Sequence, residues 1–453
     1  MSEERENDRE LLLELMEKRA FGKLREVTSD MNPADIAAIM DSMENEESLK
    51  LFRILQKDLA AEVFPLLEDE DQQYIILSLS TREASNVIDS LMSDDAADLL
   101  EEMPANVVKK LLANAKPDTR KNINMLLQYP EDSAGSVMTV EFVDLVETMT
   151  VAQAIERIRT IGLDSETVNI CYVLNPTRKL IGTVALRYLL IQPTDAVIGD
   201  IMNERVICIS TTDDQETAAH MFQKYDFTAM PVVDHENRLV GIITIDDILD
   251  IMEEEATEDI EKMAAIIPSE KSYLRTGIFE TYKKRMPWLI FLMLSATFTG
   301  SIINSYEQAL ASYIVLTSFI PMLMDTGGNA GSQASVSIIR GLSLNEIEFK
   351  HLPKVVWKEV RVAVLCGATL AACNFVKLML FDRVTVPIAA VVCITLVMVV
   401  LFAKTIGCIL PMLAQKIGFD PAVMASPLIT TIVDAVSLLV YFNLATHLLH
   451  LAL

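Results

Sequence analysis

Asp434 stands in the run Pro427-Leu-Ile-Thr-Thr-Ile-Val-Asp434-Ala-Val-Ser, inside an otherwise uncharged apolar stretch. A carboxylate at membrane depth is costly unless it faces water or a cation, so its leading reading is an ion pathway, with a structural hydrogen bond as the alternative. Thr430 and Thr431 lie one turn earlier, where their hydroxyls could add oxygen ligands or orient water. Pro427 is expected to free a backbone carbonyl near the start of the stretch. A second polar run, Asp325-Thr-Gly-Gly-Asn-Ala-Gly-Ser-Gln333, also sits among apolar residues. Its glycines and Asn329 are expected to break or open a helix, which lipid tolerates only beside a cavity or within protein packing. The run reads as pore lining, with close helix packing through small residues as the alternative.

The third chemical feature is a run of seven carboxylates in the twelve residues 250–261, set among strong helix formers. Dense like charge is usually a solvated face. Here it leads towards an apolar region, and a divalent cation held between two carboxylate-bearing surfaces would relieve the repulsion.

Five apolar stretches, at 287–304, 309–324, 362–381, 384–403 and 427–449, are suited to crossing a membrane, with tilt or extension making up for the shorter ones. Lys283, Lys284 and Arg285 precede the first, and Arg340, Lys350, Lys354, Lys358 and Arg361 lie between the second and third. The positive-inside rule therefore predicts a multi-pass cell-membrane protein with its N-terminus in the cytosol and its C-terminus outside. Of 64 carboxylates, 56 precede Pro287, with only 29 of the 38 basic residues. An anionic soluble region joined to a membrane region indicates handling of a cation and argues against nucleic acid.

The first eight residues lack an apolar core and read as no signal peptide. The six cysteines show no metal-type spacing and read as reduced packing residues. No Walker loop, phosphorylated-aspartate motif or redox site is visible, so movement is expected to be passive. A membrane enzyme would need a placed nucleophile or acid/base pair, and an anion channel would need pore Arg or Lys. Both readings are set aside, and Glu307 in the short loop 305–308 is noted as a carboxylate that could assist cation uptake.

The positioning elements change character along the chain. Residues 10–130 hold almost no Gly, with apolar residues at helical spacing interrupted by Pro33, Pro65, Pro104, Pro117 and Pro130. Short helices stacked as a superhelix are expected, with a weak repeat of helix pairs in PADIAAIMDSM, REASNVIDSLM and DDAADLLEEM. Residues 137–252 alternate strand-like and helical runs and repeat after about sixty residues: Met138-Thr-Val, Cys171-Tyr-Val and Lys179-Leu-Ile-Gly are matched by Met202-Asn-Glu, Met230-Pro-Val-Val and Arg238-Leu-Val-Gly. This pattern resembles a tandem CBS-domain pair. That resemblance implies a sensory module for adenine nucleotides, with Thr244 and Asp247 matching the ribose-contacting residues and ATP a candidate ligand. The first unit departs there, with Ala185 and Tyr188, and Asp247 has an ordinary helix cap as its alternative reading.

Taken with PMLMDTGGNAGSQASVSIIRGL, SPLITTIVDAV and EEEATEDIEKM, the pattern resembles the MgtE family of magnesium channels or transporters over essentially the whole chain. The resemblance implies a homodimer in membrane lipid, five spans per subunit, and a pore lined by the second and fifth spans and closed by cytosolic Mg²⁺. It places Asp434 as the pore metal acid, with Gly328, Asn329 and Thr430 along the pore. It matches the sensing ligands to Glu216, Asp226, Asp247, Asp250, Glu255, Glu258 and Asp259, with Asp94 and Asp98 in the helical region. Ser426 stands where some members have Asn, and Asp325 adds an acid where others have Gly. The expected architecture is multidomain: an all-α superhelical N-terminal domain (1–136), an α/β tandem CBS pair (137–200 and 201–252), an acidic connecting helix (253–282) and an α-helical transmembrane domain with five spans (283–453).

Overall fold

The computed structural model describes residues 2–269, 273, 275–306, 313–424 and 426–450, and side chains except those of residues 2–5 and 426. Glu307 lies outside the described residues. The chain divides into two compact units, Met1–Ile251 and Met252–Leu453.

The first unit begins with ten short helices, from α1 (Ser2–Glu17) to α10 (Pro117–Leu126). Several prolines that punctuate the sequence mark where helices start. Pro33 opens α3 (Pro33–Asp41) behind an Asn32 cap whose side chain accepts from the Ala34 amide, and Pro117 opens α10. Proline suits that position because its missing N–H would have no helical partner there. Ser80 and Glu83 form a reciprocal capping box on α7 (Thr81–Ile88), which satisfies two donors at that helix start. The apolar stripes meet in one core containing Leu12, Leu24, Ile36, Met40, Leu51, Phe64 and Ile75.

Two three-stranded sheets follow. In the first, β1 (Phe142–Val146) runs parallel to β2 (Thr167–Leu174), which pairs antiparallel with β3 (Leu180–Ala185). β4 (Ile209–Ser210), β5 (Ala229–Val233) and β6 (Leu239–Thr244) repeat that order. The segment leading into each sheet pairs with the other sheet's hairpin: Thr139 bridges Ile242, and Asn203 bridges Thr183. The repeated Met and Gly of the sequence meet at these crossings. A Cβ on Gly241 would press on Met138 Sδ at 2.6 Å, and one on Gly182 on Met202 Sδ at 2.5 Å. Glycine lets the partner methionine fill the space a side chain would take, and at Gly241 a Cβ would also meet the Thr139 carbonyl oxygen at 2.6 Å. The last helix of this region, α15 (Ile245–Met263), carries the acidic run across the boundary between the units.

Among the described residues of the second unit, four helical segments are long and apolar enough to cross a membrane: Ile278–Ser305, Phe349–Asp382, Val386–Lys416 and Pro421–Leu448. Their α-helices are α16 (Ile278–Ser305), α18 (Leu352–Lys377), α19 (Val386–Lys416) and α20 (Ser426–Leu448). Between the first two lies α17 (Ile320–Ser343), which contains the polar run. The expectation that this run breaks a helix is corrected, because α17 is continuous from Ile320 to Ser343. Its glycines are buried against neighbouring helices, so tertiary contacts offset the cost of glycine in a helix interior. Of the expected stretch 309–324, residues 309–312 lie outside the described residues; Ile314–Phe319 is a 3₁₀ segment, and α17 starts at Ile320. The six cysteines are free, and Cys171, Cys393 and Cys408 are buried.

Candidate ion pathway and acidic cluster

Asp325 is exposed on α17, with Asn329 exposed one turn later and Gln333 one turn beyond that. This spacing puts all three on one helical face. Gly327, Gly328 and Gly331 are buried. A Cβ on Gly328 would lie 3.0 Å from Thr430 Cγ2, so Gly328 sets the approach of α17 to α20. Asp434, on α20, is partly buried and within electrostatic reach of Asp325. Two carboxylates far apart in sequence thus share one locality, and Asp325 was visible beforehand only as an extra acid.

The hydroxyls of Thr430 and Thr431 both donate to the Pro427 carbonyl, at 2.9 and 3.0 Å. Their own oxygens keep lone pairs for water or a cation. Beside Asn329 lies an open pocket of about 820 Å³ with a mixed polar and apolar lining. Its lining includes Asn329, Ser332, Gln333, Glu359 and Lys404. The Lys404 ammonium sits 3.7 Å from the Glu359 carboxylate, with both side chains almost fully buried. Sequence reading did not single out this pair because the two residues belong to different helices.

In the first unit, Asp94 of α8 (Ser93–Glu101) and Asp247 of α15 come together with Asp95, Asp246 and Glu166. Burial, then the neighbouring Asp247 and Asp95, hold the Asp94 carboxyl well above the usual range. Burial is also the largest cause for Asp95, pushed up to about 6, and Glu166, pushed up to about 7; in both cases nearby carboxylates add to it. Burial raises Asp247 to about 6 against the hydrogen bonds it accepts from Thr244. Crowded carboxylates of this kind favour either a proton or a cation. Among the described residues, no three His, Cys, Asp or Glu side chains form a ready metal cage. Mg²⁺ usually needs only one or two carboxylates because it keeps several waters, so the donor set fits it without such a cage.

Asp247 accepts from the Thr244 hydroxyl at 2.7 Å and the Thr244 amide at 3.2 Å, in the geometry of a helix N-terminus. The capping role is therefore present, and the same two residues remain the nucleotide candidates. Glu216 and Asp226 lie at opposite ends of α14 (Gln215–Tyr225). Glu216 is 3.5 Å from His220, and Asp226 is the left-handed C-cap. Asp98 lies on α8 and Asp250 on α15. Glu255, Glu258 and Asp259 follow on α15 in the second unit, where Glu258 meets Lys262 at 2.6 Å.

Sequence reading missed Glu141, whose carboxylate accepts from the Ser93 amide and hydroxyl, the Asn122 side chain, the Thr139 hydroxyl and the Val140 amide. Its donors come from three separated segments, so no local pattern marks it. It ties the start of α8, and hence Asp94, to the sheet region.

The comparisons agree across the chain. The family model described as divalent cation transporter matches residues 320–444, the MgtE intracellular N domain matches 31–132, and the CBS domain matches 198–254. The magnesium transporter MgtE of Thermus thermophilus is 35% identical over 442 residues, covering 97% of this chain and 98% of that protein. The MgtE of Bacillus subtilis is 32% identical over 444 residues, covering 97% and 98%. Among solved structures, the soluble part of a magnesium transporter is 30% identical with a TM-score of 0.52, covering 56% of this chain and 99% of that one. The cytosolic domain of the Mg²⁺ channel MgtE in complex with ATP is 35% identical with a TM-score of 0.51, covering 53% and 98%. With relatives aligned over nearly its whole length and its acidic and intramembrane polar residues placed as described, the chain belongs to the MgtE family of divalent cation transporters.

Proposed function

We propose that the protein conducts Mg²⁺ passively across the cell membrane as a homodimer and is closed by cytosolic Mg²⁺. The observation that carries this reading is Asp434 on an apolar helix packed through Thr430 against the glycine face of α17, whose exposed face carries Asp325 and Asn329, in a chain aligned throughout with magnesium transporters. In this reading α17 completes five spans, the N-terminus is cytosolic and the C-terminus outside. The ten N-terminal helices stack as a superhelix, and the domain limits follow the composition changes at 136, 200, 252 and 282.

Two symmetry-related Asp434 carboxylates suit a mostly hydrated Mg²⁺, which binds through one or two carboxylates and retains water. Gly328, Asn329 and Thr430 line the adjoining path, and Asp325 adds negative potential beside it. Outer-sphere contacts and pore width then select the ion without a six-oxygen protein cage. No chemical turnover is involved.

Gating follows from the carboxylates. Plentiful Mg²⁺ relieves repulsion among Asp94, Asp98, Glu216, Asp226, Asp247, Asp250, Glu255, Glu258 and Asp259 and holds the connecting helices against the pore. When Mg²⁺ is scarce, repulsion separates them. The ion shifts this equilibrium only by binding the closed arrangement better. An adenine nucleotide such as ATP binds at Thr244 and Asp247 and biases the same module, a reading supported by the ATP-bound relative.

The test is current in excised membrane patches while Mg²⁺ on the cytosolic face is varied. Divalent-dependent current that falls as this Mg²⁺ rises is the expected result. Current carried by chloride, or indifferent to cytosolic Mg²⁺, would overturn the reading.

A further inference from the structure

Glu359 of α18 and Lys404 of α19 each lie within a membrane-length helical segment. Their charged groups approach to 3.7 Å, with the side chains only 12% and 8% exposed. That separation is too long for a hydrogen bond, and Glu359 Oε2 is buried with no hydrogen-bond partner among the described residues. So loose a pair is a poor source of stability, because the desolvation of two charges offsets their attraction unless hydrogen bonds complete the contact. Charges at membrane depth that face a cavity are instead a mark of an ion pathway. This pair does face one, since both residues line the open pocket together with Asn329, Ser332 and Gln333 of α17. The crossing of α17 and α19 sets it there: a Cβ on Gly331 would lie 3.2 Å from the carbonyl oxygen of Ala403, the residue before Lys404. Asn329 and Gln333 share their helical face with Asp325, so the pocket lies further along the face that passes near Asp434.

We propose that Glu359 and Lys404 form a charge-cancelling element in the wall of the ion pathway: Glu359 is a further carboxylate able to hold a divalent cation, and Lys404 occupies its cation position so that Mg²⁺ passes the pocket without being trapped. This rests on the Mg²⁺ conduction reading above and deepens it. Asp325 and Asp434 already make the neighbouring stretch negative. Glu359 alone would add another acid beside the amide and hydroxyl oxygens of Asn329, Ser332 and Gln333, a donor set suited to a hydrated hard cation. Conduction requires binding strong enough to admit the ion and weak enough to release it. With Lys404 present, the charged side chains lining the pocket sum to zero, and the ammonium is tethered to its helix and cannot be carried through with the ion. The pair is thus a specificity-determining element that acts on the ion through its charge.

The experiment measures the Mg²⁺ concentration giving half-maximal uptake into proteoliposomes for the full-length protein, for Lys404→Met, for Glu359→Gln and for the two changes together. Lys404→Met uncovers the Glu359 carboxylate and is expected to lower the half-saturating Mg²⁺ by about three- to tenfold, with a lower maximal rate because the ion leaves more slowly. Glu359→Gln leaves the ammonium uncompensated and is expected to raise it by about the same factor, while the double variant returns to within about twofold of wild type. Opposite shifts of this kind do not arise from lost packing, which would weaken both single variants alike. Single variants that move the half-saturating Mg²⁺ in the same direction, or not at all, would overturn the charge-cancelling role while leaving Mg²⁺ conduction intact. Wild-type protein that takes up no Mg²⁺ would instead overturn the conduction reading and this role with it. Should Lys404→Met fail to insert, the double variant compared with Glu359→Gln alone isolates the same ammonium, and an equal half-saturating Mg²⁺ for those two would count against it.

Discussion

Gly407 of α19 lies against the backbone of Gly331 of α17, so closely that a Cβ on Gly407 would collide with the Gly331 carbonyl oxygen. The two helices cross in backbone contact, and the polar helix is held in the bundle by small residues on one face while its other face presents Asp325 and Asn329. Gly407→Ala must push the helices apart, a cost of about 1–3 kcal/mol for overpacking. Thermal unfolding of the detergent-solubilised variant should show a lower midpoint. Gly300→Ala is the control, since a Cβ there meets nothing within 4 Å. An unchanged midpoint for Gly407→Ala would contradict the crossing.

Asp434→Ala should abolish Mg²⁺ uptake while the protein still inserts and dimerises, because the variant loses the only carboxylate of α20. Asp434→Asn should be nearly as damaging, since it keeps size and hydrogen bonding but not charge. Uptake into cells or proteoliposomes is the readout. An Asn variant that transports well would make charge a minor factor in the pathway.

Replacing Glu255, Glu258 and Asp259 together by Ala should leave conduction intact and raise the Mg²⁺ needed for closure, since these residues lie on α15, ahead of α16. Two effects oppose each other: loss of ligands weakens closure, whereas loss of repulsion favours it. Under the proposed gating, bridging ions cancel the repulsion at millimolar Mg²⁺, so ligand loss should dominate. Dose-inhibition curves shifted to lower Mg²⁺ would make repulsion the main role of the segment.

A pH test isolates a different carboxylate. Burial raises Asp41 to about 7 despite the hydrogen bond from the Glu68 amide, with the Asp71 carboxyl raising it further. A carboxyl whose folded pKa is raised contributes stability that is full below its unfolded value near 4 and is lost as pH rises through the folded value. Stability of the first unit should therefore fall between about pH 4 and 7, by at most about 1.4 kcal/mol per pH unit from this group. Asp41→Asn keeps an acceptor for Glu68 without the charge and should flatten that slope in a denaturation series. A slope equal to wild type would remove Asp41 as its source.

Much was legible in the sequence because the signals were local. Alternation and turns marked the two sheets, apolar length marked five stretches, four of which fall on membrane-length helices among the described residues, and the cost of an acid in lipid singled out Asp434. The Met138 and Met202 repeats were visible too, although their exchange onto Gly241 and Gly182 was not, since a repeat carries no information about which copy it packs on.

The continuity of α17 was decided only by tertiary structure. Glycine, asparagine and serine are poor helix formers in isolation, and they stay helical here because burying small residues lets neighbouring backbones approach and fill the space. The same holds for Asp325 beside Asp434, Glu141 beneath α8, and Lys404 against Glu359. Composition and periodicity specified the elements and the kind of charge each carries, through forces acting within one or two helical turns. Which charges meet was determined by packing between segments far apart in the chain, where burial sets the strength of every such contact.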